Sequence, residues 1–332
     1  MKLRFKYRIT LIFLILFFLL IWKNGKVTAI QSGPHTTIQK NKNESGTLHD
    51  ANNNIMRGTP MVLGKNLKES VEFATDIKNW ERIKKNGFNT IRVCWVDPWY
   101  KDRKRDYWEV SEVLPYFDKC VENAAASGMN LIINYHNVGA QQKYDTTYTF
   151  EFEKKFWEAV APRYKNKKFV YYEPANEPTF QMKDYLNPEF KESYLELYNQ
   201  IRKDAPNREI LMFSFNTIQN NILNVVEEYE NDVNWEHTTI AYHMYNSNSS
   251  DAVRKLMKKH RVICTEWFYD FVGKQRPDYT FIKRVDGFKE NAQTLEEIGS
   301  SWVDWRDWGD TTLNELLDTL IIDAKQKDYW WK

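Results

Sequence analysis

The chain has 332 residues, of which 42% are apolar and 28% charged, the balance of a folded globular protein and not of a disordered or fibrous one. Six of its 47 Lys and Arg lie within the first 29 residues, where there is no acid; the other 41 face 45 Asp and Glu. A slightly acidic body does not suit a phosphate-tracking surface, so a nucleic-acid partner is not expected.

In chain order, Lys2, Arg4, Lys6 and Arg8 precede an apolar run from Ile9 to Trp22, broken only by Thr10, and Val27-Thr28-Ala29 follows. Basic stem, apolar stretch and small residue are the order of a secretory signal, so residues 1–29 are expected to be a signal peptide cut after Ala29. At ~1.5 Å per residue the run reaches about 21 Å, short of the ~30 Å hydrocarbon core. An uncleaved anchor is the alternative. Either way the body of the chain is expected outside the cytoplasm, with no other membrane partner. Residues 30–53 are rich in Asn, Thr, Ser and Lys, with four scattered apolar side chains, and read as a flexible tether.

From 54 to 332 the texture changes. Short apolar runs fall at 55–63, 88–96, 130–136, 169–175, 209–215, 239–245, 261–268 and 300–305, giving eight strand candidates. Helical patterns lie between them, around 77–85, 113–126, 152–164, 190–204, 218–229, 251–260, 279–298 and 313–325. Such alternation demands a parallel sheet, since each crossover returns the chain to the same end. Eight units over roughly 280 residues suit a single (β/α)8 TIM barrel domain of the α/β class. A doubly wound open sheet is the runner-up, but no G-x-G-x-x-G follows the first run. Three cysteines, Cys94, Cys120 and Cys264, are too few for a disulfide framework and read as buried apolar residues, with a Cys94–Cys264 bridge as the alternative.

In a parallel barrel the carboxyl ends of the strands converge on one mouth. The second run brings Arg92 there, followed by Asp97-Pro98-Trp99; the third ends Asn134-Tyr135-His136-Asn137 and the fourth Asn176-Glu177-Pro178. The sixth ends His243-Met244-Tyr245-Asn246, the seventh Glu266-Trp267, and the eighth Trp302-Val303-Asp304-Trp305. Glu177 and Glu266 sit on nearly opposite strands, and such a pair can supply a general acid and a nucleophile. Barrel geometry leaves roughly 5 to 6 Å between two inward Glu side chains, nearer the ~5.5 Å of a retaining glycosidase than the ~6.5 to 9.5 Å of an inverting one. No pair of His occurs on the first run, so neither a metal nor a cofactor is expected. Glu173 has the parity to face inward as a brace. Trp80 and Trp157 are expected to pack helices onto the barrel, whereas Trp99, Trp267, Trp302, Trp305 and Trp308 are placed near the rim.

The segments MRGTP, NTIRVCW, LIINYHN, YYEPANEP, AYHMYN, VICTEW and SSWVDW, in this order, resemble the eight-stranded barrel enzymes of glycoside hydrolase family 5, the cellulase family. The resemblance implies a retaining glycosidase with Glu177 as acid/base and Glu266 as nucleophile. It further implies that Arg92 orients Glu266, that Tyr245 donates a hydrogen bond to it, and that Asn176 holds the sugar 2-hydroxyl. His136 and His243 line the same subsite, and Trp305 is its stacking floor, with Trp302 the alternative. The expected partner is a polysaccharide, β-glucan or β-mannan, cut by a monomer. An endo-β-1,4-glucanase is the first reading, an endo-β-mannanase the second, and a non-catalytic carbohydrate-binding barrel the third. The NYHN segment lacks the acid that many cellulases carry near that His, which loosens the substrate assignment and not the catalytic pair.

Overall fold

The computed structural model describes residues 45–100, 106–137, 149–216, 218, 221–244, 249–267 and 291–305. The signal or anchor expected over 1–29 and most of the expected tether lie outside them. Among the described residues no helix is long and apolar enough to cross a membrane.

Eight parallel strands close on themselves: β2 (Arg57–Leu63), β3 (Thr90–Trp95), β4 (Asn130–Tyr135), β5 (Val170–Glu173), β6 (Ile210–Phe215), β7 (Thr238–His243), β8 (Arg261–Glu266) and β9 (Trp302–Val303). Each pairs with the next, and β9 pairs with both β8 and β2, which completes the expected (β/α)8 barrel. Gly58 makes the closure possible. A Cβ there would stand 2.9 Å from Val303 Cγ2 and 3.0 Å from the Thr90 carbonyl, so only hydrogen leaves β9 and β3 room on either side.

A ninth strand, β1 (Gly46–Thr47), corrects the expected domain start at residue 54. It runs parallel to β8 at the amino end of the barrel, Gly46 opposite Arg261 and Thr47 opposite Val262. Thr47 Oγ1 donates to the Val262 carbonyl (3.1 Å) and accepts from the Ser301 amide (2.6 Å). Leu48, 5% exposed, plugs the barrel floor. The polar composition of 30–53 concealed this, because one apolar residue at the right place suffices to join a sheet whose other strands supply the hydrogen bonds.

The helices cover the outside: α1 (Lys68–Thr75), α2 (Ile77–Lys85), the short α3 (Asp97–Tyr100), α4 (Val110–Ser127), α5 (Glu151–Tyr164), α6 (Pro188–Asp204), α7 (Ile222–Glu227) and α8 (Ser250–Met257). Residues 291–298 form a further helix. Local chemistry sets the ends. Asp76 caps α2 through the Lys78 amide, Asn187 and then Pro188 open α6, and Gly128 ends α4 in the left-handed conformation at φ 64°. The 77–85 helix falls where expected; α1 was not anticipated, and the 218–229 pattern is shorter in the structure. The 313–325 pattern lies outside the described residues.

Strand alternation divides the burial. Outward side chains such as Val93, Leu131, Ile133, Tyr172 and Tyr242 join Trp80, Phe117 and Trp157 in a large barrel-to-helix core. Inward ones, Ile132, Tyr171, Leu211, Ala241, Ile263 and Val303, meet Leu48 and Met56 in a separate apolar layer low in the barrel. Trp80 and Trp157 are fully buried with their indole N–H groups on the carbonyls of Ala74 and Pro174, as expected of packing residues. Cys94, Cys120 and Cys264 are buried free thiols; burial pushes Cys120 up to about 12.

Candidate active site

One inward step above the apolar layer, the interior becomes polar. Arg92 on β3 has no exposed surface and spends its guanidinium on three partners. Nε and Nη2 donate to the two oxygens of Glu173 on β5 (2.6 and 3.1 Å), Nη1 to Glu266 Oε2 at the end of β8 (2.9 Å), and Nη2 also to Asn176 Oδ1 (2.6 Å). Burial acts against the charge, but the neighbouring carboxylates overcome it and raise the pKa of Arg92. Glu173 is the inward brace expected of it. Its Oε1 takes a third hydrogen bond, from Ser214 Oγ (2.7 Å).

Ser214 reaches inward through a break in β6. The register of β6 with β7 shifts between Met212 and Phe215, and Phe213 and Ser214 adopt positive φ, 80° and 40°. Non-glycine residues hold such angles only when their surroundings enforce them. Here two helix-side tyrosines do so: Tyr194 Oη accepts from the Phe213 amide (2.8 Å) and Tyr185 Oη donates to its carbonyl (2.9 Å). Ser214 was missed from sequence, although the lone hydroxyl in ILMFSF was a signal.

After β5 the chain turns across the mouth, held to β4 by the Asn176 amide on the Tyr135 carbonyl (2.9 Å). Glu177 follows with φ 42°, a strained position that aims its carboxylate into the barrel opening. Its Oε1 lies 2.7 Å from His243 Nδ1 on β7. Burial draws the pKa of His243 down, yet the charge of Glu266, then the hydrogen bond to Glu177, raise it overall. One ligand atom each from Glu177, His243 and Glu266 lie within 4.8 Å of one another. These residue types could hold a cation, but Glu266 already takes a charged hydrogen bond from Arg92 and His243 Nδ1 faces Glu177.

His136, 4% exposed, has Nδ1 3.0 Å from Asn134 Oδ1. Burial first, then the charges of Arg92 and His243, push its pKa down to about 3, so the ring is neutral. Its face stacks on Trp305, centroids 4.8 Å apart and planes 3° from parallel, and the Arg92 guanidinium lies 5.8 Å from the same indole. Trp305 is partly exposed beside Arg92 and His136. Trp302 is fully buried, edge-on to Phe88 and Trp267, with Nε1 on Glu296 (2.8 Å). Trp267 is equally buried. The expectation that Trp267 and Trp302 stand at the rim is therefore corrected: both pack between barrel and helices. Tyr245 and Trp308 lie outside the described residues. Arg92, His136, Asn176, Glu177, His243, Glu266 and Trp305 come together at the carboxyl end of the barrel.

A closed parallel barrel that brings two buried carboxylates together at the carboxyl end of its strands has the arrangement that glycoside cleavage by paired carboxylates requires. The comparison with protein families gives the same answer: the model described as Cellulase (glycosyl hydrolase family 5) matches residues 49–327, and the chain belongs to that family. It is a glycoside hydrolase, and its substrate is a carbohydrate. No curated protein sequence matches it. Among solved structures it is similar to the catalytic domain of Thermobifida fusca endoglucanase Cel5A, at 20% identity, covering 79% of this chain and 83% of that one with a TM-score of 0.56. It is also similar to the β-glucanase SdGluc5_26A of Saccharophagus degradans (19% identity, 82% and 89% covered, TM-score 0.60). A third is the cellulose synthase subunit Z of Clostridioides difficile (17%, 76% and 92%, TM-score 0.54). At these identities the likeness is one of fold.

Proposed function

We propose that this chain is a retaining endo-β-1,4-glucanase that works by double displacement, with Glu177 as acid/base and Glu266 as nucleophile. The observation that carries the reading is the pair itself: oxygens of the two carboxylates within 4.8 Å, one held by His243 and the other by Arg92. A gap of this size suits direct attack by one carboxylate and leaves little room for the water that an inverting enzyme needs. Glu266, kept oriented by Arg92 and in this reading by Tyr245, attacks the anomeric carbon. Glu177 gives its proton to the departing glycosidic oxygen as that bond breaks, and a glycosyl ester on Glu266 results. Glu177, now a carboxylate, takes a proton from water, whose oxygen displaces Glu266 and releases the sugar with its original configuration. Asn176 holds the 2-hydroxyl, His136 and His243 line the subsite, and Trp305, stacked on neutral His136, offers a flat face to the C–H surface of an equatorial sugar.

Support for glucan comes from the fold neighbours described as an endoglucanase and a β-glucanase, the first also solved with cellotetraose. The basic and apolar start of the chain supports action outside the cytoplasm. The test is proton NMR of the first product from a soluble β-1,4-glucan, run beside viscosity and reducing-end measurements. Retained configuration with viscosity falling ahead of new ends is expected. An inverted first product removes the double displacement, and cleavage of galactomannan alone transfers the assignment to a mannanase.

A further inference from the structure

Asn176 has a second support that starts outside the barrel. With Oδ1 committed to Arg92, its Nδ2 is the donor, and one hydrogen goes to the backbone carbonyl of Asn137 (3.2 Å). The direction of the other hydrogen, the one free to meet a sugar hydroxyl, is thereby set by where that carbonyl stands. Asn137 lies two residues beyond the last residue of β4, where the ladder no longer fixes the backbone; its amide makes only a tight contact with the Tyr135 carbonyl (3.2 Å). What ties it down is its own side chain, wholly buried, whose Nδ2 donates to Glu153 Oε1. Glu153 comes from the first turn of α5 and is 2% exposed, on the same helix face as Phe156, Trp157 and Val160. A carboxylate among such residues is costly and is kept only where its hydrogen bonds are specific.

We propose that Glu153 is a positioning residue that acts through Asn137 to aim Asn176 at the 2-hydroxyl of the reacting sugar. This rests on the assignment of Asn176 to that hydroxyl, and a 2-hydroxyl contact strengthens in the transition state, so the effect belongs in kcat more than in KM.

The experiment compares an aryl β-cellobioside with its analogue lacking the 2-hydroxyl on the reacting ring, in protein whose folding is checked by thermal melting. Wild-type enzyme is expected to favour the hydroxylated substrate by about 10²-fold or more, and Asn176→Ala to erase most of that preference. Glu153→Leu should lower kcat on the hydroxylated substrate by about tenfold or more while leaving the deoxy substrate within about twofold. Glu153→Gln, which keeps an acceptor oxygen for Asn137, should stay within about threefold of wild type on both. A Glu153→Leu enzyme that slows both substrates equally, or neither, overturns the proposal while leaving the role of Asn176 intact. A wild type without preference for the 2-hydroxyl overturns the role of Asn176 and this proposal with it. If Glu153→Leu does not fold, Asn137→Ala cuts the same link from the other side: selective loss on the hydroxylated substrate supports the proposal, and equal loss overturns it.

Discussion

Ile132, Tyr171, Ala241 and Ile263 lie low in the barrel, and two residues further along the same strands stand Asn134, Glu173, His243 and Thr265, all of them 5% exposed or less. Burial is equal in the two layers, but its cause differs. The lower layer is held by apolar area removed from water, which is non-directional and tolerates changes that conserve volume. The upper layer is held by directional hydrogen bonds around Arg92, two to Glu173 and one to Glu266, and losing the Arg92 cation would leave both carboxylates buried without their counter-charge. A barrel thus carries its chemistry where packing alone could not keep it buried, on top of a floor that packing alone maintains.

The largest effect should come from Glu266→Gln, which keeps the shape of the upper layer and removes the nucleophile. The turnover of an activated aryl glycoside should fall by about 10⁴-fold or more, with a melting temperature close to wild type. Near-normal turnover would mean that the upper layer is not the reacting centre.

The layers separate next in stability. Arg92→Met leaves Glu173 and Glu266 buried without their cation and should cost about 3–5 kcal/mol in urea unfolding, whereas Ile132→Leu in the floor should cost less than about 1.5 kcal/mol. Equal losses would break the comparison. Ser214→Ala sharpens it: one hydrogen bond to Glu173 disappears with no change of charge, and a loss of about 1–3 kcal/mol is expected, with kcat/KM on the same aryl glycoside down severalfold.

The smallest effect concerns pH. His136 has its pKa lowered from 6.5 to about 3, so between those values the unfolded chain binds the proton that the folded one refuses. Its contribution to stability is present above pH 6.5 and is lost as pH falls toward 3. His243, with a raised pKa, runs the other way: its contribution is full below 6.5 and is lost as pH rises through the folded value. The two oppose each other in a wild-type profile, so the measurement is a difference. Acidification from pH 6.5 to 5.5 should cost wild type about 1 kcal/mol more than it costs His136→Gln, read by denaturant melts at both pH values.

Much of this was legible in the amino-acid order. Apolar runs of strand length alternating with amphipathic stretches define the eight strands, because each strand inside a helix-covered barrel must be apolar on both faces. Arg92, His136, Glu177, His243 and Glu266 stand out because they interrupt or end such runs, and a parallel barrel sends every strand end to one mouth. The arrangement of partners was not legible. Trp302 and Trp305 are the same residue type three positions apart, but β9 is only two residues long, so strand parity cannot say which indole turns to the helices and which to His136. The inward turn of Ser214 depends on a strained break in β6 clamped by Tyr185 and Tyr194, distant in the chain. Leu48 counts as core only because the barrel floor needs one more side chain, and Glu153 acquires a purpose only when α5 brings it to Asn137. Periodicity and strand ends are local properties that every sequence window carries; hydrogen-bond partners and packing faces are properties of pairs far apart in the chain, and they exist only once the barrel has closed.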